Sequence, residues 1–354
     1  MKNRSIKLVM SLILMLIVSC NEPETFVTDL VHPDGSVTRR IVMKSIEANA
    51  AKRFKTSEIQ LPLDSTWIVQ DSCEVGKKDD TIWVRRAEKL FKSVNEINLA
   101  YKSDSSSNRE FSRHAEFKKK FKWFNTELRF SEKIDKILSF GYPVKDFLNN
   151  EELLYFYSPE ELKSSKENGP DSLKFKALSD SVRQNTDKWT GKNLVSEWIG
   201  EFSRLTSGKT SNDMSYKSLK SREEEFVKII EKNDKQLDSL WKNGILLRQF
   251  IGEANALKYK IEADSALSIV TKVISSGFSN YSVRIIMPGK LIGTNGFIDS
   301  SHVLLWPVKS DYFMTEQYEM WAESKIPNRW AWLVSGLFLV FVLTGVIIRV
   351  IKRG

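Results

Sequence analysis

The chain has 354 residues, 41% apolar and 28% charged, which suits a globular body with a real core and excludes wholesale disorder. Its 54 Lys and Arg exceed its 45 Asp and Glu, but Lys2, Arg4, Lys7, Arg349, Lys352 and Arg353 sit in acid-free ends, leaving 48 against 45 in the body and little support for general nucleic-acid binding. Two cysteines exclude a disulfide scaffold.

Met1 to Lys7 is basic, and Leu8 to Val18 is an apolar run interrupted only by Ser11. That run is too short for a hydrocarbon core of about 30 Å, which needs about 20 residues. It ends in Ile17-Val18-Ser19-Cys20. The segment resembles a bacterial lipoprotein signal, whose lipobox places small and aliphatic residues before a cysteine. The resemblance implies a signal peptide at 1–19, a lipidated Cys20 as mature N-terminus, and a polar tether over 20–25. The plainer alternative is a buried cysteine closing an ordinary signal.

A β-rich half is expected over 26–143. Val27 to Val31 leads through His32-Pro33-Asp34-Gly35, a turn signal, into Val37 to Lys44, with Val37, Arg39, Ile41 and Met43 on one face. Short β segments are expected at Ser65–Gln70 and Thr81–Arg85, a helix over Ala87–Tyr101, and a strand or strand pair over Phe117–Phe130. The period becomes helical over 144–275. Ser158-Pro159 reads as an N-cap with proline in the first turn, Leu194 to Leu205 as an amphipathic stripe ending at Ser207-Gly208, Ser221-x-x-Glu224 as a capping box, and Ala254 to Ile274 as a further helix. Strands return over 276–328: Tyr281 to Met287 alternates, Pro288-Gly289 and Thr294-Asn295-Gly296 are turns, and His302–Val308 and Thr315–Lys325 follow.

Trp330 to Ile348 is a run of 19 residues without a charge. At 1.5 Å per residue it reaches about 29 Å, one bilayer core. Trp330 and Trp332 stand where an interfacial aromatic belt would lie, and Arg349, Lys352 and Arg353 follow the run. The uncharged length predicts a transmembrane helix over 330–348, and the positive-inside rule puts a basic tail over 349–354 in the cytoplasm and the bulk of the chain on the exported side of a cytoplasmic membrane. Cys73 then has no exported partner thiol and is expected to be buried.

Residues 281–327 contain Met287-Pro288-Gly289, Asn295 and Trp306, with a final strand shortly before the apolar helix. Together with Cys20 these resemble the LppM-like bacterial lipoproteins. The resemblance covers the ends and this block, and the long helical stretch departs from it. It implies an α+β envelope module without an established catalytic site.

Other motifs carry less. Ser207-Gly208-Lys209-Thr210 mimics the end of a phosphate-binding loop, but Ser203 stands where its first glycine belongs, and a helix rather than a strand precedes it. His32, His114 and His302 have no ligand spacing, and no nucleophile elbow exists. No catalytic residue, metal ligand or cofactor is therefore assigned. The unusual composition is Phe117-Lys118-Lys119-Lys120-Phe121-Lys122-Trp123-Phe124. It fits a core strand with a solvated or edge-guarding lysine face. It also fits an anionic-surface site using Lys118, Lys120, Lys122 and Trp123.

The expected fold is α+β: an antiparallel sheet domain with a helical insertion and a single C-terminal transmembrane helix. The expected function is a membrane-tethered lipoprotein of the cell envelope that binds lipid, anionic lipid included, or an envelope protein, and no nucleic acid. An envelope hydrolase with a non-local site, or an accessory subunit of a membrane complex, is the alternative. Short tethers at both ends predict that the first strand starts at the membrane and lies antiparallel to the last in one sheet.

Overall fold

A computed structural model describes residues 24–49, 54, 59–76, 81–103, 112–136, 141–160, 162–163, 171–208, 214–233, 236–274, 280–299 and 301–353. The signal-like segment 1–19, Cys20 and Asn21–Pro23, and Lys209 and Thr210, lie outside the described residues.

The first hairpin forms as its alternation dictates. Strands β1 (Glu24–Val31) and β2 (Val37–Ser45) pair antiparallel, with Asp29 opposite Arg39 and Val31 opposite Val37. Gly35 supplies the positive φ of 93° that the turn needs. Val37, Arg39, Ile41 and Met43 are all buried, so one face carries a guanidinium into the core. β4 (Thr81–Phe91) continues the sheet beyond β2, and β3 (Ile68–Val75) forms its edge. β7 (Tyr281–Ile286) joins β1 in parallel, followed by β10 (Leu304–Val308) and the short β9 (Phe297–Ile298). This gives seven strands in the order β3-β4-β2-β1-β7-β10-β9.

A second sheet has the order β5-β6-β11-β8, from β5 (Arg113–Lys122), β6 (Asn125–Ile134), β11 (Tyr318–Pro327) and β8 (Lys290–Thr294). The first and last strands therefore do not share a sheet, contrary to expectation. β1 has both edges occupied by β2 and β7, while β11 pairs with β6 along its whole length. The turn closing the first hairpin meets β5: Lys119 donates to the Pro33 carbonyl at 3.0 Å, and a Cβ on Gly35 would lie 2.7 Å from the Phe117 ring.

The predicted helix over Ala87–Tyr101 is instead the end of β4 followed by α1 (Val94–Ser103). Ala87 and Phe91 are four apart, a spacing that satisfies both periods, and cross-strand pairing with Ile41 and Val37 decides for the strand. Cys73, expected to be buried, lies exposed on β3, an edge strand exposed on both faces.

Between β6 and β7 run α2 (Asn150–Tyr157), the 35-residue α3 (Ser172–Thr206), α4 (Tyr216–Ser221), α5 (Glu223–Lys232), α6 (Leu237–Lys242), α7 (Ile245–Ile251), α8 (Glu253–Lys258) and α9 (Lys260–Ile274). Asn149 and Glu152 form a reciprocal capping box at α2. Ser221 does not open a helix; it closes α4, its hydroxyl donating to the Ser218 carbonyl, while Ser215 caps that helix. The N-terminal half of α3 contributes Val182 and Trp189 to the core between the sheets. Its C-terminal half contributes Val195, Trp198, Ile199 and Phe202 to a separate helical core with Phe226, Phe250 and Ala263. The chain ends in α10 (Arg329–Ile351), 23 residues long and apolar enough to cross a membrane, of which Ala331 alone is buried among the described residues.

Candidate membrane-interface site

The two sheets face each other across a buried charged cluster. Arg39 Nε and Nη2 each donate to Asp29 at 2.6 Å, and Nη2 also reaches Glu132 at 3.0 Å. Arg113 Nη2 and the Tyr101 hydroxyl both donate to Glu132 Oε1 at 2.5 Å, and Arg113 Nη1 donates to the Ile59 carbonyl at 2.9 Å. Arg39 also bonds the Tyr101 oxygen. Two guanidiniums thus meet two carboxylates, all nearly inaccessible to water. Burial alone would raise the Glu132 carboxyl, but Arg113, Arg39 and the Tyr101 hydroxyl outweigh it and hold it at about 2. Burial raises the Tyr101 phenol, so it stays a neutral donor. Helix α1 secures β5 as well: Asn98 donates to the Ala115 carbonyl at 2.9 Å and accepts from its amide at 2.7 Å, closing part of an exposed sheet edge.

On this base the β5–β6 hairpin projects beyond the core. Arg113 and Ala115 are buried, whereas residues 118–124 are exposed. The turn is Trp123-Phe124, and it rests on the start of α10. Asn328, just before the helix, makes the joint. Its amide nitrogen Nδ2 donates to the Lys122 and Trp123 carbonyls at 2.8 and 3.3 Å, its backbone N–H donates to the Phe124 carbonyl at 3.0 Å, and its Oδ1 accepts from Thr126 at 3.0 Å. Phe121 stacks on Trp330 with centroids 6.2 Å apart, Trp123 meets the same ring edge-on at 5.3 Å, and Phe124 lies 4.4 Å from Trp332. Trp123 Nε1 donates to Ser335 Oγ at 2.8 Å. Ser335 is six residues into the helix, about 9 Å along its axis. The tip therefore extends alongside the apolar helix rather than stopping at its base.

The sequence-predicted residues fall on this arm. Lys118 pairs with Glu116 at 2.8 Å, and Lys122 pairs with Glu127. Lys120 faces Glu127 across the strand pair. Trp123 forms the tip, while Cys20 lies outside the described residues. Sequence reasoning placed Trp330 and Trp332 in an interfacial belt but did not join them to the hairpin, and it missed Asn328 and Ser335. Only the β6–β11 register, which pairs Pro327 with Asn125, brings these segments together.

The residues of the family-like block form a structural junction. Asn295 Oδ1 accepts from Trp306 Nε1 and from the Trp321 amide, both at 2.9 Å, while its Nδ2 donates to the Glu319 carbonyl at 2.7 Å. This ties β10 of one sheet to β11 of the other. Gly289, at φ 83°, leaves a Cβ no room against the Lys325 carbonyl, 2.5 Å away. His32 bonds Thr38 in the first hairpin, His114 is exposed on β5, and His302 follows Asp299 in a turn, so the three stand apart. Comparison with family models, curated proteins and solved structures gives no match.

Proposed function

We propose that this chain is a membrane-tethered bacterial lipoprotein of the cell envelope, a non-catalytic module that binds lipid or an envelope protein at the outer face of the cytoplasmic membrane. The carrying observation is the joint between the β5–β6 hairpin and α10. A domain hung on a flexible stalk needs no such contact. Here four hydrogen bonds through Asn328 and three aromatic contacts make the first turns of an apolar helix continuous with the sheet. Aromatic rings with polar edges are suited to the boundary between headgroups and hydrocarbon. In this reading α10 spans the bilayer, Arg349, Lys352 and Arg353 face the cytoplasm, and Trp123, Trp330 and Trp332 mark the outer interface. The signal-like segment supports export, and Ser19-Cys20 supports lipidation.

Two manipulations test the anchors. Cys20→Ser should abolish metabolic palmitate labelling and leave an uncleaved precursor; persistent labelling contradicts lipidation. In the same background, with a replacement cleavable signal, a chain ending at Asn328 should be released by osmotic shock. Carbonate-resistant membrane association of that truncated chain would contradict anchoring by α10.

A further inference from the structure

The outer face of the four-stranded sheet divides into two zones of different charge. Away from α10, Lys118, Arg129 and Lys133 are matched by Glu116, Glu319 and Glu323: Lys118 pairs with Glu116, Arg129 with Glu323 and Glu319, and Lys133 with Glu319. Three cations meet three carboxylates there. Next to α10 the balance changes. One rank of directly opposed residues runs Lys120, Glu127, Lys325, Lys290 across β5, β6, β11 and β8. Lys122 follows toward the helix and bonds Glu127. Four lysines therefore share one carboxylate.

Lys325 and Lys290 stand directly opposite each other, both exposed, and no acid pairs with either among the described residues. Like charges opposed across an antiparallel pair are unfavourable. Gly289 packs closely on the Lys325 carbonyl beside this pair. Four residues after Lys325, Arg329 opens α10, whose first turn has no acidic residue to complement the helix dipole. The excess positive charge thus rings the point where the helix leaves the domain, beside Trp330.

We infer that Lys120, Lys122, Lys290, Lys325 and Arg329 form a headgroup-level belt that binds anionic phospholipid in the leaflet entered by α10. The inference rests on the membrane-spanning reading of α10 and names the lipid class that the domain selects. Charge complementarity and position favour a lipid headgroup over an acidic protein: the lysines lie within one or two residue ranks of the interfacial tryptophans, where phosphates of the bilayer stand. Each basic residue near an anionic surface adds to the attraction.

The test uses the full-length chain in bilayers of phosphatidylcholine with a minor fraction of spin-labelled phosphatidylglycerol or spin-labelled phosphatidylcholine. The motionally restricted fraction of each probe measures its preference for the protein. The wild type should prefer phosphatidylglycerol, and a Lys290→Gln/Lys325→Gln variant should lose at least about five-fold of that preference, the equivalent of roughly 1 kcal/mol. Lys290→Arg/Lys325→Arg should retain it. Lys133→Gln, in the charge-balanced zone, should leave it unchanged. The cations at 349–353 act on the opposite leaflet and are common to all variants, so only the difference between variants is read. Equal preference in wild type and in the Lys290→Gln/Lys325→Gln variant, with unfolding temperature unaltered, overturns the belt. Loss of the preference on adding inorganic phosphate, but not chloride of equal ionic strength, overturns the lipid assignment in favour of a free anion. A chain that stays out of the bilayer restricts neither probe; the spanning reading then fails, and the belt with it.

Discussion

Glu132 accepts from two guanidiniums and one phenol in a space closed to water, so any change there leaves charge without its partner. Glu132→Ala leaves Arg39 and Arg113 facing each other, and should cost roughly 3–5 kcal/mol, read from urea unfolding of the full-length chain in detergent. The same carboxylate imposes a pH dependence. Its folded value, about 2, lies below the ordinary 4.5, so its contribution is fully present above about pH 4.5 and is lost as pH falls toward 2. The difference corresponds to on the order of 3 kcal/mol. The drop in stability over that window should be markedly smaller in Glu132→Gln than in the wild type; identical acid profiles would contradict the assignment. Part of this was legible in the sequence. Arg39 shares a strand face with Val37, Ile41 and Met43, which requires a buried charge to find a partner, and Asp29 sits at the opposed position of the same hairpin. Glu132, Arg113 and Tyr101 were not legible, because they arrive from a second sheet and a helix through contacts with no local signature.

At the scale of elements, the joint between the β5–β6 turn and α10 depends on Asn328. Its side chain supplies what neither the ending strand nor the starting helix can: an acceptor for Thr126 and donors for two carbonyls of the turn. Asn328→Ala should weaken the joint by about 1–2 kcal/mol, raising the population of the detached hairpin about five- to thirty-fold. Trypsin cleavage after Lys120 and Lys122 in the bilayer-reconstituted chain should accelerate accordingly, and an unchanged cleavage rate would show that the aromatic contacts alone hold the turn. The hairpin itself was readable from its composition, and so was α10 from its uncharged length. Their docking was not, because it follows from a ten-residue register between β6 and β11, segments separated by the whole helical region. The misread helix over Ala87–Phe91 has a similar cause. A four-residue spacing satisfies both periods, and only the pairing with β2 decides between them.

At the scale of the whole molecule, one long helix links two cores. α3 gives Trp189 to the core between the sheets and Trp198 to the helical core, and the segment before α2 clasps it midway. Trp189 Nε1 donates to the Tyr142 carbonyl at 2.8 Å, Asn193 accepts from the Tyr142 amide at 2.7 Å, and the Tyr142 hydroxyl donates to Glu223 at 2.7 Å. Asn193→Ala leaves that partly buried amide without its partner, a cost of about 1 kcal/mol. It should split thermal unfolding into two transitions, since each core retains its own apolar packing. A single transition with only a lowered midpoint would mean that the cores unfold as one unit without this clasp. The α+β class was legible from the change of period along the chain. The separation into two cores was not: only Leu194 to Leu205 reads as an amphipathic stripe, the first half of α3 carries no such signal, and its neighbours are set by tertiary packing.

The depth of the hairpin tip decides whether its joint with α10 is a membrane-interface site. Nitroxides placed one at a time at Lys119→Cys, Phe121→Cys, Phe124→Cys and Ser335→Cys, in a Cys73→Ser full-length chain reconstituted in bilayers, report that depth through their relative accessibility to oxygen and to a water-soluble nickel chelate. The ratio should rise from 119 through 121 to 124, and at 124 it should approach the value at 335. A label at 124 as open to the nickel chelate as one at 119 would place the tip in water and contradict the membrane-interface site.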